Sequence, residues 1–190
     1  MSALSIPRIS VEEYLAADRA AERRSEYHDG EVFPMVAVTF THARLAVSLA
    51  RRLDEKLSYG TCQTLAAPRV RARATNFVYP DLAVICGQPQ LGDAHGDILL
   101  NPRVIIEILS PSTADYDYGG KFALYRGLAS LEEYVLVSQE SCLIEVFRRL
   151  TDGRWALSSY QGAEAVLTLE CLGIALPLAE IYAGVELPAA

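Results

Sequence analysis

Tyr79-Pro80-Asp81-Leu82-Ala83-Val84-Ile85-Cys86 and, a little further on, Val104-Ile105-Ile106-Glu107-Ile108-Leu109 are the two stretches whose reading decides the fold. Short, nearly continuous apolar runs of this kind are expected of strands covered on both faces. Each run carries one acid. Asp81 opens the first strand, and Glu107 lies inside the second among large apolar neighbours. An ionised carboxylate in a dry strand is costly unless a metal, lysine or arginine compensates it. One reading is an ion pair that only fixes strand register or sheet packing. The other is a functional site, which two such acids on neighbouring strands favour.

Working outward, Ser10 and Glu13 form a capping box that predicts a helix over 11–21. Extended segments at 25–28 and 31–38 flank Asp29-Gly30, a hairpin turn. Thr41 is positioned to cap a helix over 42–58, with Leu45, Leu49, Leu53 and Leu57 on one face and Gly60 as its stop. Strands are expected at 62–65 and 69–73, the second with Arg69, Arg71 and Arg73 on one face and Val70 and Ala72 on the other. Beyond the two core strands come a helix over 118–127 and strands near 133–137, 143–149 and 155–160. Asp152-Gly153 turns the last pair. This order predicts a mixed α/β core with a hairpin extension and a C-terminal β meander.

Composition narrows the class. At 190 residues the chain suits one domain, and 51% hydrophobic residues exclude disorder. The net charge of −7 disfavours coating nucleic acid by bulk charge. Residues 42–75 nevertheless hold seven bases (Arg44, Arg51, Arg52, Lys56, Arg69, Arg71, Arg73) against two acids, Asp54 and Glu55, which reads as a basic strip where a phosphate backbone could lie. Cys62, Cys86, Cys142 and Cys171 lack zinc-ligand spacing and are expected to be buried free thiols in a reducing cytoplasm. Met1-Ser2-Ala3-Leu4-Ser5 carries no signal-peptide pattern, and Glu170, Pro177 and Glu180 interrupt the apolar stretch 165–185. A cytoplasmic protein without a membrane segment is the expectation. The last residues, 187–190, are expected to fray.

After Glu107 the chain continues Ser110-Pro111-Ser112-Thr113, Asp115-Tyr116-Asp117, Gly119-Gly120-Lys121. A helix begun near Asp117 sets Asp117, Lys121 and Tyr125 on one side. Pro80-Asp81 followed by Glu107 on the next core strand resembles the PD-(D/E)xK nuclease superfamily. Five pieces in order narrow the resemblance: Ser10–Leu15, Glu26-Tyr27-His28-Asp29-Gly30-Glu31, Tyr79-Pro80-Asp81, Glu107–Thr113 and Lys121–Tyr125. Together they are similar to its Uma-type branch, over about residues 8–182. The superfamily pattern has lysine two positions after the second acid, where this chain has Leu109. In the Uma-type branch the lysine comes from the following helix, and Lys121 fits that place.

The resemblance implies one restriction-endonuclease-like domain over 1–190, a mixed sheet flanked by helices. It also implies a Mg²⁺-dependent endonuclease, with Mn²⁺ as a substitute ion, that hydrolyses DNA phosphodiester bonds. Asp81, Glu107 and the Ile108 carbonyl are the expected metal ligands, and Lys121 the group that orients water or stabilises charge. Glu31, in preference to Glu26, is the expected further acid from the hairpin. His42 is a lining residue, a cap or a core hydrogen-bond partner. Arg69, Arg71 and Arg73 could lie along a phosphate backbone or face solvent beside local acids. No aromatic–basic interleaving suggests base stacking. DNA affinity is expected to be weak or supplied by a partner, and fold-level analogy suggests a homodimer. The alternatives are a regulatory interaction protein that retains the fold, and a hydrolase of another phosphate ester.

Overall fold

The computed structural model describes residues 8–58 and 60–188. The readings of Met1–Ser5 and of the final two alanines lie outside them. In chain order the elements begin with α1 (Val11–Ala20), β1 (Ser25–His28), β2 (Glu31–Pro34), α2 (Phe40–Leu57) and β3 (Cys62–Ala66). Next come β4 (Arg69–Arg73), β5 (Asn76–Val78), β6 (Leu82–Cys86), β7 (Ile98–Leu99) and β8 (Val104–Leu109). A helical segment follows: α3 (Ala114–Tyr116), a π-helical turn (Asp117–Lys121) and α4 (Phe122–Tyr125). The chain closes with β9 (Glu133–Ser138), β10 (Leu143–Arg149), β11 (Trp155–Gln161), β12 (Val166–Leu169), β13 (Ile174–Pro177) and α5 (Leu178–Ile181).

Local chemistry explains the boundaries. The Ser10 side chain accepts from the Glu13 amide at 3.2 Å, and the Glu13 carboxylate accepts from the Ser10 amide at 2.8 Å. Asp29 and Gly30 take positive φ of 49° and 102°, which suits the tight β1–β2 turn. Helix α2 starts two residues before the expected position because Thr39, not Thr41, accepts from the His42 amide, at 3.1 Å.

Six strands, in the order β11-β10-β9-β8-β6-β3, make the main sheet, parallel only at β8–β9. The C-terminal meander is thus part of this sheet, not an appendage to it. On one face Leu82, Val84, Val104, Ile106, Val135 and Val137 pack beneath the leucine row of α2, with β12, β13 and α5 closing the layer. Burying each leucine of that row is worth about 1.5–3 kcal/mol. On the opposite face Ala83, Ile85, Ile105, Tyr134 and Leu136 meet α4 and a second sheet of order β2-β1-β5-β4-β7. The outer side of that second sheet is covered by α1 through Tyr14, Tyr27, Phe77 and Ile98.

This layering corrects three expectations. Helix α2 and strand β4 lie on opposite faces of the main sheet, so the bases of 42–75 form no single strip. Arg69 does not face outward with Arg71 and Arg73. Covered by α1, its guanidinium donates to Tyr79 Oη at 2.7 Å and Asp18 Oδ2 at 2.8 Å and also pairs with Asp97. A register shift between Arg71 and Arg73 breaks the alternation further. The cysteines are not all free: antiparallel pairing sets Cys62 opposite Cys86, and the two form a disulfide, while Cys142 and Cys171 are free thiols. Among the described residues no helix is long and apolar enough to cross a membrane.

Burial would raise the Asp18 carboxyl, but bonds from Tyr79, Arg69 and Ser25 outweigh it and hold the group below its ordinary range. Asp18→Ala leaves the Arg69 guanidinium with Asp97 alone as its carboxylate partner and should cost about 1–3 kcal/mol in urea unfolding. Asp18→Leu combined with Arg69→Met should recover most of that loss.

Candidate active site

Strand alternation builds the site. In β8 the side chains of Ile105, Glu107 and Leu109 point to the face shared with the second sheet and the helical segment. The register Leu82↔Ile106, continued by one residue, sets Asp81 opposite Glu107, and directly opposed residues share a face. Asp81 stands just before β6, where its Oδ2 accepts from the Ile108 amide at 2.7 Å and lies 3.2 Å from His42 Nε2.

Lys121 reaches this face from the π-helical turn. Its Nζ lies 3.1 Å from Glu107 Oε1, 3.3 Å from Glu26 Oε1 and 3.6 Å from Asp117 Oδ1. The expected helix over 118–127 is replaced by a segment that starts at Ala114, widens through Asp117–Lys121 and regains α-geometry to Tyr125. The widened turn directs both Asp117 and Lys121 inward, each under one-tenth exposed. One helical turn on, Tyr125 Oη donates to Glu107 Oε1 at 3.0 Å.

The acid from the hairpin is Glu26, not Glu31. Both belong to one hairpin face, since His28 pairs with Glu31. Glu31, however, sits on the edge strand near the turn, 3.7 Å from Arg8. Glu26 is on the inner strand, where its carboxylate accepts from the Tyr79 amide at 3.3 Å and from Tyr116 Oη at 3.2 Å. Parity alone could not separate the two; the strand order does. Thr39 donates to Gln139 Oε1 at 2.6 Å, and Gln139 donates to the Leu109 carbonyl at 2.8 Å, tying the start of α2 to the end of β8. Arg71 and Arg73 are outside the site, and Arg73 donates to the Ala123 carbonyl at 3.0 Å.

These groups line a cleft of about 400 Å³ whose rim includes Phe33, Met35, Val36 and Val38. Its electrostatics are dominated by burial. Burial pushes Glu107 well above the ordinary carboxylate range, and the charges of Asp81, Asp117 and Glu26 push the same way against Lys121. Asp117 is raised for the same first reason. For Lys121 burial would lower the value, but Glu107, Glu26 and Asp117 outweigh it and hold the ammonium charged. Burial would raise Glu26 too, yet the bond from His28 and the Lys121 charge keep it low.

The donor set fits a hard divalent cation. Four carboxylates, Glu26, Asp81, Glu107 and Asp117, face one ammonium, and Asp117 Oδ1 is buried without a hydrogen-bond partner. As they stand, no three His, Cys, Asp or Glu groups among the described residues are spaced to hold a metal. Lys121 Nζ occupies the point where the oxygens of Glu26, Glu107 and Asp117 converge. Mg²⁺ commonly takes only one or two carboxylates and keeps several waters, so Asp81 and Glu107 are the residues of this cleft that could hold one.

A mixed sheet flanked by helices, with acids on adjacent strands and a lysine brought over them, defines the class of restriction-endonuclease-like α/β proteins. The chain belongs to the Uma2 family, described as "Putative restriction endonuclease", whose model matches residues 11–179. It is 31% identical over 182 residues to an uncharacterized protein of Synechocystis, spanning 94% of this chain and 93% of that one. A second uncharacterized Synechocystis protein is 29% identical over 168 residues, 87% of this chain and 95% of that one. The fold is also that of a crystal structure described as a "putative nuclease" from Anabaena variabilis, with TM-score 0.76 and 15% identity. The match covers 92% of this chain and 97% of that chain.

A raised carboxyl binds its proton more tightly in the folded state, so its stabilising contribution is present at low pH and lost as pH rises through the folded value. Glu107→Gln keeps the shape without the charge. Its stability relative to wild type should therefore increase as pH rises above the ordinary carboxyl value of 4.5. Urea midpoints across pH check this, and a pH-independent difference would contradict the burial argument.

Proposed function

We propose that the protein is a Mg²⁺-dependent endonuclease that hydrolyses DNA phosphodiester bonds, with Mn²⁺ able to replace Mg²⁺. The observation that carries the reading is the ammonium of Lys121 lying 3.1 Å from Glu107, although twelve helical and loop positions separate them from the usual spacing. Membership of the Uma2 family supports the same reaction class.

Asp81, Glu107 and the Ile108 carbonyl would hold the cation. When bound, it would activate a water at neutral pH and neutralise charge on the phosphate. Lys121 contributes a fixed positive charge where negative charge grows on the phosphate oxygens. Tyr125 and the Ile108 amide hold the two acids in place through the bonds at 3.0 and 2.7 Å. Glu26 and Asp117 keep Lys121 protonated and aimed, which makes them positioning residues. His42, beside Asp81, orients that carboxylate from the opposite layer. Two copies, each with its own cleft, would cut both strands of a duplex in one encounter, so the reading includes a homodimer.

Supercoiled plasmid incubated with the protein and Mg²⁺ should be nicked. Asp81→Ala and Lys121→Ala should each reduce the rate by about 10²–10³-fold or more. Activity that survives both changes would overturn the assignment, and intact plasmid throughout would favour a regulatory protein on the same fold. Mg²⁺ or Mn²⁺ should also raise the thermal midpoint of the wild type, by the equivalent of about 2.7 kcal/mol at a hundredfold excess over Kd. Asp81→Ala and Glu107→Ala should abolish that shift.

A further inference from the structure

Three rings, two from the β1–β2 hairpin and one from the 114–125 segment, meet at the mouth of the cleft. His28 lies edge-on to Phe33, with centroids 5.3 Å apart, and to Tyr116, at 6.0 Å. Phe33 is 46% and Tyr116 37% exposed, beside a buried charge cluster. The placement is built. A Cβ on Gly120 would lie 2.6 Å from Tyr116 Cδ2, so the ring rests on bare glycine backbone. Its hydroxyl lies 2.9 Å from His28 Nε2 and donates to Glu26, while Lys121 Nζ sits 5.8 Å from the ring centroid. Met35, Val36 and Val38 extend the apolar rim along the same side.

The geometry points to a stacking site for unpaired nucleobases on the Phe33–His28–Tyr116 row, which makes single-stranded or locally melted DNA the substrate class of this cleft. A paired base in a duplex has both faces covered by its neighbours, whereas an unpaired base offers a face to an aromatic ring. Charge argues the same way. Arg69 is consumed in an internal ion pair, and Arg51 and Arg52 are paired with Glu55 on the far layer. The net charge of −7 disfavours affinity by bulk charge, and stacking adds affinity that does not depend on it. The reacting groups are also buried, Glu107 being 2% exposed, so a flexible strand reaches them where a rigid duplex does not. The chemistry rests on the nuclease reading; the binding rests on the rim alone.

Fluorescence anisotropy with a labelled oligothymidylate and a blunt duplex of equal length, in Ca²⁺ at low salt, separates the two. The single strand should bind about tenfold or more tightly than the duplex. Phe33→Ala and Tyr116→Ala should each weaken it by about tenfold. Tyr116→Phe keeps the ring on Gly120 and should retain binding, and thermal melts of each variant report that the fold is intact. Equal affinity for the two probes, no binding to either, or full binding by both alanine variants would overturn the inference. Plasmid nicking with no single-strand preference would overturn it while leaving the nuclease reading standing. Single-strand binding with no Mg²⁺-dependent cleavage would do the reverse.

Discussion

The ammonium of Lys121, held within 3.6 Å of Glu107, Glu26 and Asp117, is the interaction on which the rest of the structure depends. Glu107 sits in the middle of a dry strand, and burial without a counter-charge would carry a penalty of several kcal/mol. Lys121 brings that counter-charge by packing the 114–125 segment against the sheet. That packing draws in the π-helical turn, Tyr125, and Leu124 over the core. The same ammonium needs Glu26, which anchors the second sheet against the first. One buried charge thereby ties together a strand, a helix and a hairpin that share no local sequence.

The cluster is also under electrostatic tension. Four acids and one ammonium share one cleft, and burial first, with the neighbouring acids adding to it, raises Glu107 and Asp117. A cation bound as proposed would relieve the repulsion among these acids. On the proposed reading, stability and function pull against each other at Glu107: a neutral isostere would relieve the cost of burial and remove a ligand of the proposed cation.

How much was legible varies residue by residue. Strands β6 and β8 match the expected 82–86 and 104–109 because apolar runs between turn signals leave little choice. The capping box at Ser10 and the leucine row of α2 were equally local and equally readable. The small hairpin β12–β13 and the short strands β5 and β7 were not, since two to four residues carry too little periodicity. Glu26 and Glu31 lie on one hairpin face, and only the order of strands decides that Glu26 is the one inside. Arg69 looked like a surface base because alternation says which side a residue takes and not what covers that side.

By itself the sequence determined the type of each long element, the presence of two acids where apolar strands should be dry, and the family pattern linking them to Lys121. These are properties of neighbouring residues, governed by backbone geometry and hydrophobic periodicity. Tertiary structure alone decided that Lys121 meets Glu107 and Glu26, that Cys62 bonds Cys86, that the basic segment divides between two layers, and that Phe33, His28 and Tyr116 form one rim. Each depends on strand order, register or layer, which are set by how faces bury against one another across tens of residues, a constraint no local window contains.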